Sequence, residues 1–274
     1  MKYEEIKKEL ELLGASDPQS EALIIIERLF GVSGAQLLLD RERDFQGSEL
    51  ESVLSKRKEH IPLQHIFGEW EFMGKKFYVS PDCLIPRPDT EILVEKALEI
   101  MKNGGDVADL CTGSGCIGIS MLLYGNVGEM TLMDISMPAL EMARKNASLH
   151  GVMHRCNFVH GDITRDMPGK KFHMIVSNPP YIPTKDIESF SPEVKKEPIL
   201  ALDGGCDGLD IIRFLLGNGL SYLYDGGHML IEFGYDQGEK MGALLREKWD
   251  TGLIKSYEIL HDYGGNPRVA VIQK

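Results

Sequence analysis

The chain has 274 residues, 43% of them hydrophobic, and its 42 acidic and 30 basic side chains give a formal net charge of -12. Because domains usually hold about 100–200 residues, this length predicts two domains, and the acidic balance argues against a direct nucleic-acid partner. The five cysteines show no Cys-x-x-Cys spacing, so we expect neither a disulfide framework nor a bound metal. We find no targeting peptide and no apolar run near the ~20 residues of a membrane span, so we expect a cytoplasmic protein without a membrane partner.

Residues 1–67 have helical periodicity and predict a small helical bundle. Asp17 precedes a proline and predicts the N-cap of one helix, and Ser48 with Glu51 predicts a capping box for a later one. The basic run at residues 56–58 predicts a solvated helix face, with a partner-docking surface as the alternative. Nothing in this segment indicates catalysis.

Residues 68–79 change to an aromatic-rich strand pattern around Gly74 and predict a β-hairpin, so that residues 68–83 form a linker. Pro86 and Pro88 then favour an extended backbone, and we expect Asp89 to cap the helix that follows. Arg87 lies between these prolines. This position is equally compatible with a purely structural role and with a ligand or ion-pair role.

The remainder of the chain, residues 84–274, alternates strand and helix patterns. Such alternation predicts right-handed crossovers and a largely parallel, doubly wound sheet. The short loop at residues 263–267 predicts an antiparallel last pair of strands. The predicted strands lie at residues 107–110, 130–134, 157–160, 173–177, 228–233, 254–261 and 268–273.

A glycine-rich turn follows the first strand of this sheet. Gly113, Gly115 and Gly118 match the dinucleotide-binding G-x-G-x-x-G pattern, and Asp134, at the end of the next strand, is placed to bind ribose hydroxyls. An NAD enzyme is therefore one interpretation of this stretch.

The same turn also suits S-adenosylmethionine, which has an amino-acid tail instead of a pyrophosphate. For that ligand Asp109, at the end of the first strand, is placed for the ammonium group. Asp162, after the third strand, is placed for the adenine amino group, and Ile163 for the face of the ring. Each acid alone also fits a helix cap, but three acids after three successive strands favour a ligand site.

The fourth strand is followed by Asn178-Pro179-Pro180-Tyr181, called the Asn-Pro-Pro-Tyr segment below. Each proline fixes its own φ, lacks an N–H and favours extended geometry in the residue before it. The segment is therefore a stiff platform at the edge where open α/β sheets bind ligands. By itself the tetrapeptide also fits a plain turn.

The Asn-Pro-Pro-Tyr segment and residues 85–91, which read Ile-Pro-Arg-Pro-Asp-Thr-Glu, closely resemble the HemK/PrmC family of protein glutamine methyltransferases, which modify peptide chain release factors. The resemblance covers nearly the whole chain, including residues 62–72 and 200–209. Asn-Pro-Pro-Tyr elements also occur in adenine methyltransferases that act on nucleic acid. Three features favour a protein substrate: the Arg-Pro-Asp-Thr-Glu motif, the helical amino-terminal domain and the acidic net charge.

The resemblance implies a Rossmann-like, seven-stranded class I S-adenosylmethionine-dependent methyltransferase domain behind the helical bundle and hairpin linker. It also implies methylation of the glutamine amide in the Gly-Gly-Gln motif of release factors. The chain departs from the family at Cys111, where the release-factor enzymes commonly have glycine and a branch acting on a ribosomal protein often has cysteine. Methylation of a ribosomal protein is therefore an alternative, beside an NAD-binding oxidoreductase and an inert cofactor-binding adaptor.

A glutamine amide nitrogen is a poor nucleophile because its lone pair is delocalised into the carbonyl, so the enzyme must orient it. We expect the Asn178 side-chain oxygen and the Pro179 carbonyl to accept its N–H groups, and we expect no general base. The predicted catalytic residues are Asn178 and Pro179. The predicted cofactor residues are Asp109, Cys111, Thr112, Gly113, Ser114, Gly115, Asp134, Asp162, Ile163 and Asn178. The predicted acceptor residues are Asn178, Pro179, Pro180, Tyr181 and Arg87.

Overall fold

The computed structural model describes all 274 residues, Met1–Lys274. They divide into two units, Met1–Gly68 with Pro192–Lys196, and Glu69–Ser191 with Glu197–Lys274. The domain limits at residues 67 and 83 stay predictions. No helix combines the length and the apolar character that a membrane crossing requires.

The first unit contains five helices around an apolar core that includes Ile6, Leu10 and Ile25. The Asp17 carboxylate accepts the Ser20 N–H at 3.0 Å, which confirms the predicted N-cap. The capping box at Ser48 is wrong, because Ser48 is already helical and Gly47 occupies the cap position. The helices are α1 Tyr3–Leu12, α2 Pro18–Phe30, α3 Gly34–Leu39, α4 Ser48–Lys58 and α5 Leu63–Phe67.

Arg57 is a buried ion-pair centre of this unit. Its side chain is 2% exposed, and its guanidinium donates to Glu21 through Nε and Nη2, each at 2.9 Å, and to Glu193 at 2.5 Å. The prediction of a solvated face is therefore wrong for Arg57, although its neighbours Lys56 and Lys58 are exposed. The carboxylates that neutralise Arg57 are 36 and 136 residues away in the chain, so local sequence gave no sign of them.

The second unit begins with the predicted hairpin, formed by β1 Glu69–Phe72 and the antiparallel β2 Lys75–Tyr78. A 3-10 turn at Pro88–Thr90 then leads into α6, Glu91–Ile100. Asp89 does not cap this helix. Thr90 occupies the cap position, and the Asp89 carboxylate instead pairs with Arg268 at 3.2 Å.

The central sheet has seven strands, which are β3 Val107–Leu110, β4 Met130–Asp134, β5 Cys156–His160, β6 Phe172–Ser177, β7 Leu223–Glu232, β8 Ser256–His261 and β9 Pro267–Gln273. Their order in the sheet is β5-β4-β3-β6-β7-β9-β8. The first five in this order are parallel to one another, and β9 is antiparallel to both neighbours, which confirms the predicted fold class. The remaining helices are α7 Cys116–Tyr124, α8 Met137–Leu149, α9 Asp210–Gly217 and α10 Gly238–Asp250.

Apolar layers cover both faces of the sheet, which explains why its central strands are continuously hydrophobic. From β3 the chain proceeds through β4 to β5 on one side and then returns to β6 on the other. Leu110 and Ser177 face each other at the ends of these adjacent strands. This reversal creates a crevice at the carboxyl ends of β3 and β6, where doubly wound sheets bind ligands.

Candidate active site

A cavity of about 260 Å³ occupies this crevice and lies wholly within the second unit. Its walls come from the loops after β3, β4, β5 and β6 and from the segment before α6. Residues 198–203, called the return segment below, also contribute to the lining. The lining residues are Asp82, Cys83, Leu84, Pro86, Arg87, Thr90, Cys111, Thr112, Gly113, Ser114, Cys116, Ile117, Asp134, Ile135, Ser136, Ala139, Gly161, Asp162, Ile163, Thr164, Asn178, Pro180, Pro198, Leu200, Ala201, Asp203 and Ile211.

The turn from Cys111 to Gly115 supplies backbone to this cavity. Gly113 has φ +55°, and a Cβ built on it would meet no atom within 4 Å, so the backbone there adjoins open space. Its N–H donates to the Asp134 Oδ2 at 2.8 Å. Cys111 also has a left-handed backbone, with φ +59°, which is a conformation that glycine adopts without strain.

Asp109 lies behind the turn and does not line the cavity. Its Oδ2 accepts the Thr112 hydroxyl at 2.6 Å and the Gly118 N–H at 2.9 Å, while Oδ1 is buried without a partner. Burial raises the pKa of this carboxyl to about 7, although both donors act to lower it. Asp109 thus fixes the shape of the turn, and its role toward an ammonium group stays a prediction.

Two further acids face the cavity after β4 and β5. Asp134 accepts the Gly113 N–H and also the Ser136 N–H at 2.8 Å, and burial raises its pKa. Asp162 accepts the hydroxyl and the N–H of Thr164 through one oxygen, and these bonds lower its pKa. Ile163 is buried beside it and supplies an apolar surface.

The Asn-Pro-Pro-Tyr segment leaves β6 at the opposite wall. The Asn178 Nδ2 donates to the Thr90 Oγ1 at 3.3 Å, and the Asn178 Oδ1 has no hydrogen-bond partner. Asn178 and Pro180 line the cavity, whereas Pro179 and Tyr181 do not. The Tyr181 hydroxyl instead donates to Glu232 at 3.3 Å, and the Tyr181 carbonyl accepts from Gln237 at 2.8 Å.

Arg87 lines the cavity, and its guanidinium pairs with the Glu197 carboxylate. Glu197 is 4% exposed and also accepts the Ile85 N–H at 2.9 Å. This acid therefore ties the Arg87 segment to the start of the return segment, where Pro198 lines the cavity.

The sequence predicted no role for the Glu197, Glu232, Gln237 or Thr90 side chains. One signal was available. Glu232 follows the apolar residues 229–231 at the buried end of β7, and a charged group at a buried strand position requires a partner. The identity of that partner, Tyr181, is not encoded locally, because it lies 51 residues away.

The lining matches the needs of a nucleoside that carries an amino-acid tail. Carboxylate acceptors at Asp134 and Asp162 flank an apolar surface at Ile163. Unpaired polar atoms at Ser114 Oγ and Asn178 Oδ1 occur on residues that line the same cavity. Within the described chain no cluster of His, Cys, Asp or Glu side chains is arranged to hold a metal ion.

Comparison with known proteins extends these observations. A family model described as Methyltransferase small domain matches residues 88–192, and one described as PrmC N-terminal domain matches residues 3–68. The release factor glutamine methyltransferase of Aquifex aeolicus (strain VF5) is 34% identical over 279 residues, covering 100% of this chain and 96% of the relative. That of Neisseria gonorrhoeae (strain ATCC 700825 / FA 1090) is 37% identical, covering 95% of this chain and 96% of the relative. A solved methyltransferase structure from Pyrococcus furiosus shares the fold, with a TM-score of 0.55, 17% identity, and coverage of 80% of this chain and 98% of that chain.

Proposed function

The chain belongs to the release factor glutamine methyltransferase family, and from this premise we propose that it methylates the side-chain amide nitrogen of glutamine in the Gly-Gly-Gln motif of peptide chain release factors. The observation that carries the proposal is the full-length similarity to enzymes of that name. The Asn-Pro-Pro-Tyr segment supports it, because Asn178 lines the cavity and its buried side-chain oxygen has no hydrogen-bond partner within the protein. We place the reaction in the cytoplasm, with no direct nucleic-acid or membrane partner.

S-adenosylmethionine is the proposed cofactor, and when bound it supplies a methyl group on an electrophilic sulfonium. In the proposal Asp134 accepts the ribose hydroxyls, since its two oxygens face backbone donors and the cavity. Ile163 packs on the adenine, and Asp162 accepts its amino group. The main chain from Cys111 to Gly115 borders the amino-acid tail. Asp109, which does not line the cavity, would act on the ammonium group through the turn that it fixes.

The acceptor amide needs orientation more than activation. In the proposal the Asn178 Oδ1 and the Pro179 carbonyl accept its two N–H groups, so that the nitrogen lone pair points along the line of attack. The nitrogen forms a bond to the methyl carbon as the carbon–sulfur bond breaks, and positive charge develops on the nitrogen. Both acceptors stabilise that charge.

No residue is assigned as a general base. The positively charged nitrogen formed by methyl transfer is strongly acidic, so it releases one of its two protons to water and leaves the neutral N-methyl amide. Pro180 borders the amide at the cavity wall, and Tyr181, which lies outside the lining, keeps the segment in place. Arg87, which is paired with Glu197, lines the part of the cavity that we assign to the acceptor.

The test is methyl transfer from labelled S-adenosylmethionine to purified release factors. We expect label on the wild-type release factor and none on a variant whose Gly-Gly-Gln glutamine is replaced by alanine. Purified ribosomal proteins form a parallel arm. Label on a ribosomal protein alone would overturn the proposal in favour of the related branch, and absence of label on both would favour the inert adaptor.

A further inference from the structure

Two exposed tyrosines lie at the same edge of the central sheet as the cavity. Tyr235 follows β7 and is 63% exposed, and Tyr263 follows β8 and is 77% exposed. β6 and β7 are parallel, and β9 is antiparallel to both β7 and β8, so the carboxyl ends of β6, β7 and β8 share one edge. Asn178 follows β6 at that edge. Neither tyrosine lines the cavity.

Each tyrosine is presented by a turn that a buried polar side chain holds in place. Tyr235 begins a 3-10 turn that ends at Gln237, and the Gln237 Oε1 accepts the Gly234 N–H at 2.9 Å. Tyr263 lies in the loop between β8 and β9, and the Asp262 Oδ1 closes this loop by accepting two of its N–H groups, each at 2.9 Å. Such fixed turns reduce the conformational entropy that is lost when an exposed segment binds a partner.

Arg268 joins these two turns to the segment before α6. Its guanidinium carbon lies 5.9 Å from the centre of the Tyr235 ring. Its Nη2 donates to the Asp262 Oδ2 at 3.0 Å and pairs with Asp89 at 3.2 Å. Thr90, the residue after Asp89, lines the cavity. The two turns are therefore connected through Arg268 to a segment of the cavity wall.

Two exposed acids accompany the tyrosine rings. Asp236 follows Tyr235 in the chain, and the Glu95 carboxylate lies 3.5 Å from the Tyr263 hydroxyl. The cation Arg268 is only 9% exposed and is neutralised by two carboxylates. The outward charge of this region is therefore negative. Tyr235, Tyr263, Asp236 and Glu95 are called the tyrosine surface below.

The chemistry of the tyrosine surface fits a basic protein partner. The face of a tyrosine ring attracts the ammonium of lysine and the guanidinium of arginine, and a neighbouring carboxylate pairs with the same groups. Exposed tyrosines on fixed turns are typical anchors of protein interfaces. An acidic surface repels the phosphate backbone of a nucleic acid.

We propose that the tyrosine surface docks a basic face of the protein that carries the acceptor glutamine, outside the segment that enters the cavity. The identity of that protein as a release factor rests on the proposed function. Contacts away from the reacting amide are the same before and during methyl transfer, so they lower KM without changing kcat.

The first experiment measures the dissociation constant of purified release factor by calorimetry, together with KM and kcat for its methylation. We expect the double substitution Tyr235→Ala/Tyr263→Ala to raise the dissociation constant and KM about tenfold, with kcat and S-adenosylmethionine affinity unchanged. Tyr224→Ala is the matched control, because Tyr224 is 45% exposed and lies near the start of β7, at the opposite edge of the sheet. Wild-type affinity and KM in the folded double variant, or an equal loss in Tyr224→Ala, overturns the proposal.

The second experiment tests the charge of the partner. We expect Asp236→Lys to weaken binding of release factor about tenfold at low ionic strength and to reduce the dependence of binding on salt. Asp225→Lys is the matched control, because Asp225 is exposed and follows Tyr224 as Asp236 follows Tyr235. We expect Asp225→Lys to bind as wild type does. Equal affinities of the two lysine variants overturn the assignment of a basic partner.

Binding and transfer separate the docking surface from the proposed function. Release factor that binds the wild-type protein without being methylated overturns the proposed function, and weaker binding by the double variant then still supports the docking surface. Methylation with an unchanged KM in the double variant overturns the docking surface alone. A wild-type protein that neither binds nor methylates release factor overturns both.

Discussion

The two walls of the cavity are built in different ways. On the cofactor wall, formed by the loops after β3, β4 and β5, most supporting hydrogen bonds are local. Ser136 to Asp134 and Thr164 to Asp162 span two residues, and Thr112 to Asp109 spans three, whereas Gly113 to Asp134 spans 21. On the acceptor wall they span the chain: Asn178 to Thr90 covers 88 residues, Tyr181 to Gln237 covers 56 and Arg87 to Glu197 covers 110.

The two walls therefore differ in how much of the fold must be in place before they form. Once the strands are in place, the turns of the cofactor wall need few other contacts, because most of their donors and acceptors are neighbours in sequence. The acceptor wall needs the whole sheet unit to be folded before its polar groups meet. We therefore expect substitutions on the cofactor wall to change affinity for S-adenosylmethionine, and substitutions on the acceptor wall to change the rate of transfer.

The largest effect is expected at Asn178. Asn178→Ala removes the acceptor oxygen that orients the substrate amide, so kcat should fall about 100-fold or more while S-adenosylmethionine affinity stays the same. Transfer assays and calorimetry measure the two quantities. Asn103→Ala, at an exposed asparagine outside the cavity, is the control. A comparable loss of S-adenosylmethionine affinity in Asn178→Ala would contradict the expectation that the acceptor wall controls the rate of transfer and not cofactor binding.

Asp134 should show the opposite behaviour. Asp134→Ala removes a carboxylate that accepts from Gly113 and borders the cavity, so S-adenosylmethionine affinity should fall about 10- to 100-fold, as expected for lost hydrogen bonds to a charged group. Transfer at saturating cofactor should be affected less. Calorimetry checks the affinity, and a wild-type dissociation constant would contradict the assignment.

Glu232 predicts a pH dependence of stability. Burial raises its pKa to about 7, with Arg268 and Tyr181 among the groups facing it, against about 4.3 for an unfolded glutamate. Between these values the native state binds more protons than the unfolded state, so the free energy of unfolding falls as pH rises. Glu232→Gln removes this titration.

Relative to wild type, Glu232→Gln should therefore gain about 2 kcal/mol of stability between pH 5 and pH 8. Denaturant unfolding at both pH values measures this difference. Glu51→Gln, at an exposed helix position, is the control for the substitution. Parallel pH profiles for Glu232→Gln and wild type would show that Glu232 does not titrate as described.

The Arg87–Glu197 pair tests how far the acceptor wall depends on distant contacts. Glu197→Gln replaces a buried acceptor of the Ile85 N–H and of a guanidinium that is 37% exposed, so the free energy of unfolding should fall about 1–2 kcal/mol. The Michaelis constant for release factor should rise as well. Glu99→Gln, which removes an exposed pair with Lys96, should change stability by less than about 0.5 kcal/mol. Equal effects of the two substitutions would contradict this account.

The smallest effect is expected at Cys111. Cys111→Gly relieves a left-handed backbone at φ +59° but removes a thiol that packs on the core, so stability should change by no more than about 1 kcal/mol. Cys111→Val places a β-branched side chain in the same conformation and should destabilise the protein by more. Unfolding curves of the two variants give the comparison. A glycine variant less stable than the valine variant would show that backbone strain is not the controlling factor.

The same contrast explains what the sequence could predict. The seven strands, the glycine turn and the acids Asp134 and Asp162 were predicted because periodicity and short motifs carry them. Asn178 was singled out because two prolines follow it. Glu197, Glu232 and Gln237 were missed because each is one polar residue whose partner is fixed only by tertiary packing. Arg57 was misassigned for the same physical reason.

Locating the transferred methyl group shows whether the acceptor wall holds the amide of a substrate glutamine. A release factor incubated with the wild-type protein and S-adenosylmethionine would be digested and sequenced by tandem mass spectrometry, with Asn178→Ala in parallel. We expect one added methyl group on the side-chain nitrogen of the Gly-Gly-Gln glutamine, and we expect it to be absent in the variant reaction. Methylation at another residue, or at that glutamine with undiminished rate in Asn178→Ala, would contradict it.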